Sequence, residues 1–392
     1  MKVVQINTVY DRGSTGKICR AVSNLLTEKE IENYILFSSG DSDISNAVSC
    51  CTKWYTKGQA LKSRILGNYG FNSRMETNRM IGYLERIKPD VVHLHNIHGH
   101  DCHLDLLFDY FRRNKIKLIW TFHDCWAFTA YCPHFMFKKC DKWKSECNHC
   151  PRRYDFSWFF DRSRIMFERK RKCFFDLDLT IITPSQWLAD VVRESFLKEY
   201  PVRVIRNGID LQIFQPTPNQ FREEYGIPEE KKILLGVAFG WSVQKGLDVF
   251  LELVKRLPCE KYQIVLVGTD NKVDQQLPKS IISIHRTQNQ RKLAEIYTAA
   301  DLFINPTREE NYPTVNMEAI ACGLPILTFD TGGSKEMLNE SVGVAIPADD
   351  IDRLEREVLC MCSRKYDKKS FETIAKTYDE KQRFEEYIKL YE

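Results

Sequence analysis

Short runs of β-branched and apolar residues recur along the chain, and helical patterns separate them. Strands that are buried on both faces form continuous apolar runs, and their alternation with helices is typical of parallel sheets covered by helices. The pattern therefore predicts an α/β protein. The twelve predicted strands are residues 3–9, 34–38, 91–95, 118–123, 180–183, 202–205, 233–238, 263–267, 281–285, 302–305, 325–329 and 344–346.

The length of the chain predicts two domains. At 392 residues it exceeds the size at which one hydrophobic core usually stops growing. Six predicted strands precede the segment NGID at residues 207–210 and six follow it, and prolines interrupt regular structure just beyond. We therefore predict two doubly wound, Rossmann-like domains, residues 1–208 and residues 209–392, with a terminal helix over residues 371–391 in the second.

Composition excludes several classes of protein. The chain is 43% hydrophobic and 28% charged, which is too apolar for a disordered protein. No apolar run approaches the roughly 20 residues that cross a bilayer, and the opening residues lack the apolar stretch of a signal peptide. We therefore expect a cytoplasmic protein.

The two predicted domains differ in charge. Residues 1–208 carry 33 Lys and Arg against 23 Asp and Glu, and residues 209–392 carry 24 against 30. A basic half suits an acidic ligand or an anionic membrane surface, and scattered solvated lysines explain it equally well. In residues 151–175, eight basic residues are interleaved with eight aromatic ones. We expect this segment to contact anionic lipid peripherally on the inner face of the membrane. The alternative is an amphipathic helix whose apolar side packs on the core of the protein.

Ligands of doubly wound sheets bind at the carboxyl ends of the strands, so the turns there are the candidate sites. After the first strand, Gly13 and Gly16 allow close backbone approach to a ligand before a helix predicted from Ile18, although a tight turn alone explains them. His123 ends another predicted strand, with Asp124 beside it. A structural and a catalytic role are equally consistent with that histidine.

Lys245 and Gly246 follow the opening strand of the second half, just before an amphipathic helical pattern that begins at Leu247. The start of a helix favours negative charge, and a lysine there can clamp a diphosphate. The alternative is a solvated lysine before a turn.

The most informative segment is NPTREENYPTVNMEAIACGLP. Pro313 suits the first helical position and Gly323 the position just past the end, so a short helix is predicted through residues 317–322, with free N–H groups from Thr314 onward. Glu310 precedes this helix and Glu318 lies on it. Both carboxylates can accept hydrogen bonds from the vicinal hydroxyls of a sugar or a ribose.

These residues carry a family resemblance. Glu310 and Glu318, followed by the AIACGLP of residues 319–325, match the Glu-x7-Glu signature of the retaining, GT-B-fold glycosyltransferases of family 4. The chain also resembles them in the Gly13–Gly16 loop, the HLHN of residues 93–96, the HDCW of residues 123–126 and the Lys245-Gly246 turn. It is most similar to bacterial enzymes of exopolysaccharide, capsule or O-antigen synthesis.

The resemblance implies two Rossmann-like domains that face each other across a cleft, the first on the acceptor side and the second binding the donor. It implies transfer of a sugar from a nucleoside-diphosphate donor to a hydroxyl acceptor, such as a lipid-linked saccharide, with retention and without a metal cofactor. The implied residues are Glu310, His123 and Lys245 for catalysis, Gly16, Lys245, Tyr312, Thr314, Val315 and Glu318 for the donor, and His95 and Asn96 on the acceptor side.

Two departures from the family pattern bear on the site. The family usually has an Arg five or six residues before the Lys, and Phe239 and Gly240 occupy those positions here. The segment Asn311-Tyr312-Pro313 replaces the common Gly-Phe-Gly after the first Glu. One diphosphate contact is therefore unassigned.

Two clusters suggest metal binding. Five histidines lie between His93 and His103, where we expect acceptor-side hydrogen bonding in preference to a metal. In the Cys-rich loop of residues 125–150, the spacing of the last two cysteines is typical of zinc sites, so a structural zinc ion and free thiols both stay open. The four candidate ligands are Cys132, Cys140, Cys147 and Cys150.

Two other functions remain as alternatives. Sugar-nucleotide 2-epimerases share the architecture of two such domains, but the signature of Glu310 and Glu318 with Lys245 favours transfer. The basic first half is also consistent with a nucleic-acid-binding protein, yet no recognisable nucleic-acid module is present. We therefore expect no nucleic-acid partner.

Overall fold

A computed structural model of the chain describes residues 1–40, 42, 44–287 and 289–392. The chain divides into two units. Unit 1 comprises Met1–Arg206 and Lys381–Glu392, and unit 2 comprises Asn207–Glu380. Each unit has its own parallel sheet and its own buried apolar clusters.

The sheet of unit 1 has seven strands. They are β1 (Lys2–Val9), β2 (Glu32–Ser39), β3 (Ala47–Ser49), β4 (Val91–Leu94), β5 (Lys117–Thr121), β6 (Leu179–Thr183) and β7 (Val202–Val204). All neighbours pair in parallel, in the order β3-β2-β1-β4-β5-β6-β7. Strand β4 is buried throughout, β5 is buried except at Lys117, and β1 is buried from Val3 to Asn7, which explains why apolar residues dominate these central strands.

The sheet of unit 2 has six strands. They are β8 (Lys232–Val237), β9 (Tyr262–Val267), β10 (Ile282–Ile284), β11 (Leu302–Asn305), β12 (Ile326–Phe329) and β13 (Gly343–Ile346). They too pair in parallel, in the order β10-β9-β8-β11-β12-β13. The predicted pair of doubly wound α/β folds is therefore confirmed.

Helices connect the strands of both sheets. The α-helices are α1 (Gly13–Glu28), α2 (Lys53–Leu66), α3 (Arg74–Ile87), α4 (Leu104–Arg113), α5 (Arg153–Phe156), α6 (Ser163–Cys173), α7 (Gln186–Arg193), α8 (Phe221–Glu224), α9 (Leu247–Arg256), α10 (Asn271–Asp274), α11 (Gln290–Ala299), α12 (Thr314–Ala321), α13 (Ile351–Ser363), α14 (Lys368–Ala375) and α15 (Glu380–Tyr391). Short 3₁₀ helices lie at Trp126–Phe128, Lys142–Lys144, Ser334–Met337 and Lys376–Tyr378. No helix in the described part of the chain combines the length and apolar character that crossing a bilayer requires.

All twelve predicted strands are present, and no end differs by more than two residues from the prediction. The sequence analysis missed β3, because three residues are too few to show an alternating or continuous apolar pattern. It also started α1 too late: the helix begins at Gly13, so Gly16 lies in its first turn and not in the loop before it.

The predicted terminal helix needs correction. The chain is not continuously helical over residues 371–391, because Asp379 adopts an extended conformation and pairs with Ile209. Gly208 permits this approach, since a Cβ atom on it would lie 2.4 Å from the Cα of Glu380. From Lys381 onward α15 belongs to unit 1 and not to the second domain.

The apolar face of α15 explains this assignment. Phe384, Tyr387, Ile388 and Tyr391 are buried together with residues of β1, α1, β4, β5 and β6. A helix buries its apolar stripe wherever a matching surface exists, and here the sheet and helix of unit 1 provide it.

Replacing Phe384 by Ala should destabilise unit 1 by about 3 to 5 kcal/mol, because the buried ring would leave a cavity against the sheet. The control is Lys389→Ala on the exposed side of α15, which should change the free energy of unfolding by no more than about 0.5 kcal/mol. Urea unfolding measures both. Equal effects of the two substitutions would show that α15 does not pack as described.

Candidate active site

Lys245 of unit 2 forms an ion pair with Glu310. The Nζ atom of Lys245 lies 2.9 Å from Oε2 of Glu310, and both side chains are partly exposed. The turn that presents Lys245 requires Gly246, whose φ is +80° and whose Cβ, if present, would lie 2.5 Å from the carbonyl oxygen of Pro306. The predicted cation before α9 and the predicted acid before α12 are thus in direct contact.

The loop that carries Glu310 is fixed by hydrogen bonds from its neighbours. Gly333 donates its N–H to the carbonyl of Asn311 at 2.7 Å, and the N–H of Asn311 donates to Oε1 of Glu310 at 3.0 Å. A Cβ on Gly332 would lie 2.0 Å from the carbonyl oxygen of Glu310, so only glycine fits there. These contacts hold the Glu310 carboxylate in one orientation toward Lys245.

Arg308 joins the loop of Lys245 to the loop of Glu310, and no sequence pattern pointed to this residue. Its guanidinium donates two hydrogen bonds of 2.8 Å to Asp248, one of 2.7 Å to Asp349 and one to the carbonyl of Val243. Because these acceptors engage all three guanidinium nitrogens, Arg308 clamps the Lys245 loop to the Glu310 loop. It does not replace the arginine that the family has at the positions of Phe239 and Gly240.

The second acid of the motif, Glu318, accepts a hydrogen bond of 3.1 Å from the hydroxyl of Tyr297. Burial, and then the neighbouring Glu318 carboxylate, raise the pKa of Tyr297 well above its ordinary value, so this hydroxyl stays a donor. Tyr297 lies outside all of the motifs that were predicted from the sequence. An aromatic residue on α11 gives no sequence signal that distinguishes it from a core residue.

Helix α12 begins one residue later than predicted. Pro313 is extended and precedes the helix, and Thr314 is its first residue. Gly323 has a φ of +81° just past the end, as predicted. The amides of Thr314 and Val315, both partly exposed, lie in the first turn, where a helix does not satisfy its own N–H groups. The side chain of Tyr312 is buried in the apolar core of unit 2.

In unit 1, two histidines meet at the carboxyl edge of the sheet. Strands β4 and β5 pair with Leu94 opposite Trp120, so the residues just beyond their ends are neighbours. Nδ1 of His95 lies 3.1 Å from Nε2 of His123, and the rings are stacked. Both histidines follow the strands and do not end them, contrary to the predicted bounds.

These two histidines are neutral at pH 7. Burial lowers the pKa of His123 to about 4 and holds that of His95 well below its ordinary value. Nε2 of His95 lies 3.1 Å from Oε1 of Gln5. Both ring nitrogens of His95 are therefore engaged within the protein, and His95 acts on a ligand only through His123.

A hydrogen-bonded pair of ionisable side chains, His98 and Asp124, lies beside them. Nε2 of His98 is 2.8 Å from Oδ2 of Asp124, whose Oδ1 accepts the N–H of Trp126 at 2.8 Å. Burial lowers the pKa of His98, but the charge and the hydrogen bond of Asp124 outweigh it, so the pKa is raised. A pocket with an empty volume of about 200 Å³ includes His98, Asp124, His123 and the partly exposed Asn96 in its lining.

Two other histidines of the cluster, His93 and His100, have hydrogen-bond partners of their own. His93 is buried between the hydroxyls of Tyr391 and Thr121, at 2.7 and 2.8 Å, and Nδ1 of His100 lies 3.2 Å from Oγ of Ser63. No three His, Cys, Asp or Glu residues in the described ranges are grouped so that they could hold a metal ion.

In the described residues, the cysteines of the Cys-rich loop do not form a group that could hold the zinc ion left open by the sequence. The four cysteines of the Cys-rich loop line one pocket, and none forms a disulfide. Burial raises the pKa values of Cys132 and Cys147 to about 12, so both thiols are protonated as long as no metal ion is bound. The free-thiol interpretation of Cys132, Cys140, Cys147 and Cys150 is the one that the structure supports.

The basic aromatic segment combines a helix with a buried face and a stretch of exposed aromatic residues. Within α6, Met166 and Phe167 are buried in the core of unit 1. Before it, Trp158, Phe159 and Phe160 are exposed by 45%, 64% and 51%. One half of the segment is therefore an amphipathic helix and the other half an exposed aromatic turn.

Comparison with protein families identifies the chain. The model described as "Glycosyltransferase Family 4" matches residues 17–213, and the model described as "Glycosyl transferases group 1" matches residues 218–378. The chain belongs to glycosyltransferase family 4. Neither alternative function, epimerase or nucleic-acid-binding protein, is favoured by these matches.

Among relatives of this family-4 chain, a putative colanic acid biosynthesis glycosyl transferase of Escherichia coli K12, WcaC, is 25% identical over 278 residues, or 68% of this chain and 66% of the relative. Sucrose-phosphate synthase of Thermosynechococcus elongatus has the same fold, with a TM-score of 0.71 and 15% identity over 100% of this chain and 98% of that one. HepE of Anabaena, solved with UDP-glucose, has a TM-score of 0.68 and 12% identity over 99% of both chains. These structural likenesses show the GT-B fold.

Replacing Asp124 by Asn should move the pKa of His98 from above its ordinary value of 6.5 to below it. Burial lowers this pKa, and the substitution removes the carboxylate charge that raises it. The raised pKa of His98 contributes stability to the folded protein. This contribution is fully present below pH 6.5, the ordinary pKa, and is lost as the pH rises through the raised pKa of the folded state. Asp124→Asn should therefore cost more stability near pH 6 than near pH 9. Histidine NMR titration and urea unfolding measure these effects.

The control is Asp109→Asn, since Asp109 forms an exposed ion pair with Arg113 elsewhere in unit 1. It should leave the titration of His98 unchanged. A pKa of His98 below 6.5 in the wild-type protein would contradict this account of the pair. So would a pKa of His98 that is the same in the wild type and in Asp124→Asn.

Proposed function

We propose that the protein transfers a sugar from a nucleoside-diphosphate donor to a hydroxyl acceptor, with retention of the anomeric configuration and without a metal cofactor. The observation that carries this proposal is the ion pair of Lys245 and Glu310, beside the start of α12. Unit 2 would hold the donor and unit 1 the acceptor. Family membership supports the class of reaction.

The groups of unit 2 suit the departure of a diphosphate. Breaking the anomeric bond develops positive charge on the sugar and negative charge on the leaving phosphate. The Lys245 ammonium and the first-turn amides of Thr314 and Val315 would stabilise that negative charge. The acceptor would attack from the face that the phosphate leaves, and the phosphate oxygen would take the acceptor's proton.

The two acids would orient the donor. Glu310 accepts hydrogen bonds, so it would bind hydroxyls of the transferred sugar once the donor diphosphate draws Lys245 toward itself. Glu318, oriented by Tyr297, would bind the ribose. The family resemblance implies that the first turn of α1 with Gly16 would approach the donor. The lack of a side chain at Gly16 lets this turn pack closely on its own chain, since a Cβ there would lie 3.0 Å from the N of Asp11.

The groups of unit 1 suit a neutral, hydroxyl-bearing acceptor. His123 is uncharged at pH 7, and Asn96 lines the same pocket, so both would hydrogen-bond to sugar hydroxyls. The relatives support the substrate class: HepE was solved with UDP-glucose, and WcaC is described by colanic acid biosynthesis. We infer a sugar nucleotide as donor and a lipid-linked saccharide of surface polysaccharide synthesis as acceptor.

Lys245→Met and Glu310→Gln should each lower kcat by about 100- to 1,000-fold, because each removes a group that acts on the charged transition state. The matched control is Lys335→Met, which breaks an exposed 3.0 Å ion pair with Asp330 in the same unit. It should leave kcat unchanged. Circular dichroism should show all three variants folded.

The assay uses UDP- and GDP-sugars, with and without acceptor and with a chelator, followed by mass spectrometry and NMR of the anomeric proton. Product that forms only with acceptor, at full rate in chelator and with retained configuration, is the expected result. Donor isomerised without acceptor would indicate an epimerase. Full activity of both site variants would show that the site is elsewhere.

We further propose that unit 1 contacts an anionic membrane through an aromatic patch, which comprises Leu61 and Ile65 of α2 and Trp158, Phe159 and Phe160. The N–H of Trp158 donates to the carbonyl of Arg64 at 2.8 Å, which joins the two segments. All five side chains are exposed by 38% to 64%. The guanidinium groups of Arg64 and Arg162 lie over the rings of Trp158 and Phe160. Aromatic side chains beside cations suit lipid headgroups.

The double substitution Trp158→Ser and Phe159→Ser should weaken binding to vesicles that contain anionic lipid by about tenfold or more, because two apolar anchors are lost. Co-sedimentation with anionic and with neutral vesicles measures this. Phe239→Ser, at an aromatic residue of unit 2 that is 95% exposed, is the control and should change nothing. Equal binding of the double variant and the control would refute the aromatic patch.

A further inference from the structure

A buried glutamine lies beneath the two stacked histidines. Gln5, on the central strand β1, is completely buried, and its Nε2 donates a hydrogen bond of 3.0 Å to the carbonyl oxygen of Cys19 on α1. A backbone carbonyl only accepts hydrogen bonds, so the amide nitrogen must face it. The side-chain orientation of Gln5 is therefore fixed, with Oε1 toward His95.

The fixed amide determines which nitrogens of the histidines carry protons. Oε1 of Gln5 only accepts, so Nε2 of His95, 3.1 Å away, must carry a hydrogen. The neutral ring of His95 then has its lone pair on Nδ1. Nε2 of His123 lies 3.1 Å from that lone pair and must be the donor. The direction of every hydrogen bond in the row thus follows from one backbone carbonyl.

We infer that Gln5 is a positioning residue that fixes the tautomer of His123, with the proton on Nε2 and the lone pair on Nδ1. The inference rests on the proposed function only in that His123 serves the transfer reaction. In this tautomer, Nδ1 accepts a hydrogen bond and does not donate one. A sugar or acceptor group that meets Nδ1 must therefore be a hydroxyl that donates, and an ether oxygen or a carboxylate would be rejected.

The neighbouring histidine provides an internal comparison. The ring of His93 lies against that of His95, with 4.1 Å between ring centroids and 36° between the planes, but it belongs to a separate row of hydrogen bonds. Thr121 donates its hydroxyl to Tyr387, so Nε2 of His93 donates to Thr121 and Nδ1 accepts from Tyr391. A substitution in this second row perturbs the same buried layer without touching the row from Gln5 to His123.

The first test is NMR of the full-length protein with ¹⁵N-labelled histidine at pH 7, with the His123 signals assigned by loss in His123→Gln. Two-bond ¹⁵N–¹H correlations distinguish protonated from unprotonated ring nitrogens. We expect a neutral His123 ring with the proton on Nε2. A proton on Nδ1, or a doubly protonated ring, would overturn the inference without any variant at Gln5.

The second test uses Gln5→Leu and Gln5→Met, which remove the acceptor at similar volume. Either variant should give His123 a mixture of tautomers, and kcat should fall about tenfold with the donor KM changed less than twofold. The control Tyr391→Phe should leave the His123 tautomer as in the wild type. An unchanged tautomer in a folded Gln5 variant would overturn the inference.

The two readouts separate this inference from the proposed function. If the wild-type protein transfers no sugar but the His123 tautomer depends on Gln5, the row of hydrogen bonds is as described and the reaction is wrongly assigned. If sugar is transferred and the tautomer is independent of Gln5, the reaction stands and the role of Gln5 is refuted.

Discussion

Parallel strand pairing is the constraint on which the candidate site depends. All strands of a parallel sheet end at the same edge, and the connecting helices begin there, so side chains and helix N-termini distant in sequence become neighbours. In unit 2 this brings Lys245, after β8, within 2.9 Å of Glu310, after β11. In unit 1 it brings His95, after β4, within 3.1 Å of His123, after β5.

The two edges differ in their electrostatics, and the difference suits their proposed roles. The edge of unit 2 holds charged groups that are partly exposed, with Arg308 tying the loops together through Asp248 and Asp349. At the edge of unit 1, His95 is buried and His123 partly exposed, both are neutral, and the hydrogen-bonded pair of His98 and Asp124 lies beside them. A diphosphate needs fixed positive charge, whereas a sugar hydroxyl needs hydrogen-bonding groups that are neutral.

Much of the fold was predictable because strand pattern and helix caps are local. The strands follow from apolar runs, and Gly246 and Gly323 mark helix ends by their positive φ. The role of Arg308 was not predictable, because its acceptors Asp248 and Asp349 are 60 and 41 residues away. Gln5 was missed for the same reason, since a polar residue within an apolar strand gives no sign of its partner.

The sequence by itself determined the α/β class, the twelve main strands and the acid and lysine of the unit 2 site, because each is encoded by a short pattern of neighbouring residues. Tertiary structure alone decided that α15 packs on unit 1, that Cys132 and Cys147 are buried thiols with a raised pKa and that His95 faces Gln5. These features depend on burial and on contacts between distant segments. Burial sets the protonation of a thiol or an imidazole, and no spacing along a chain reports it.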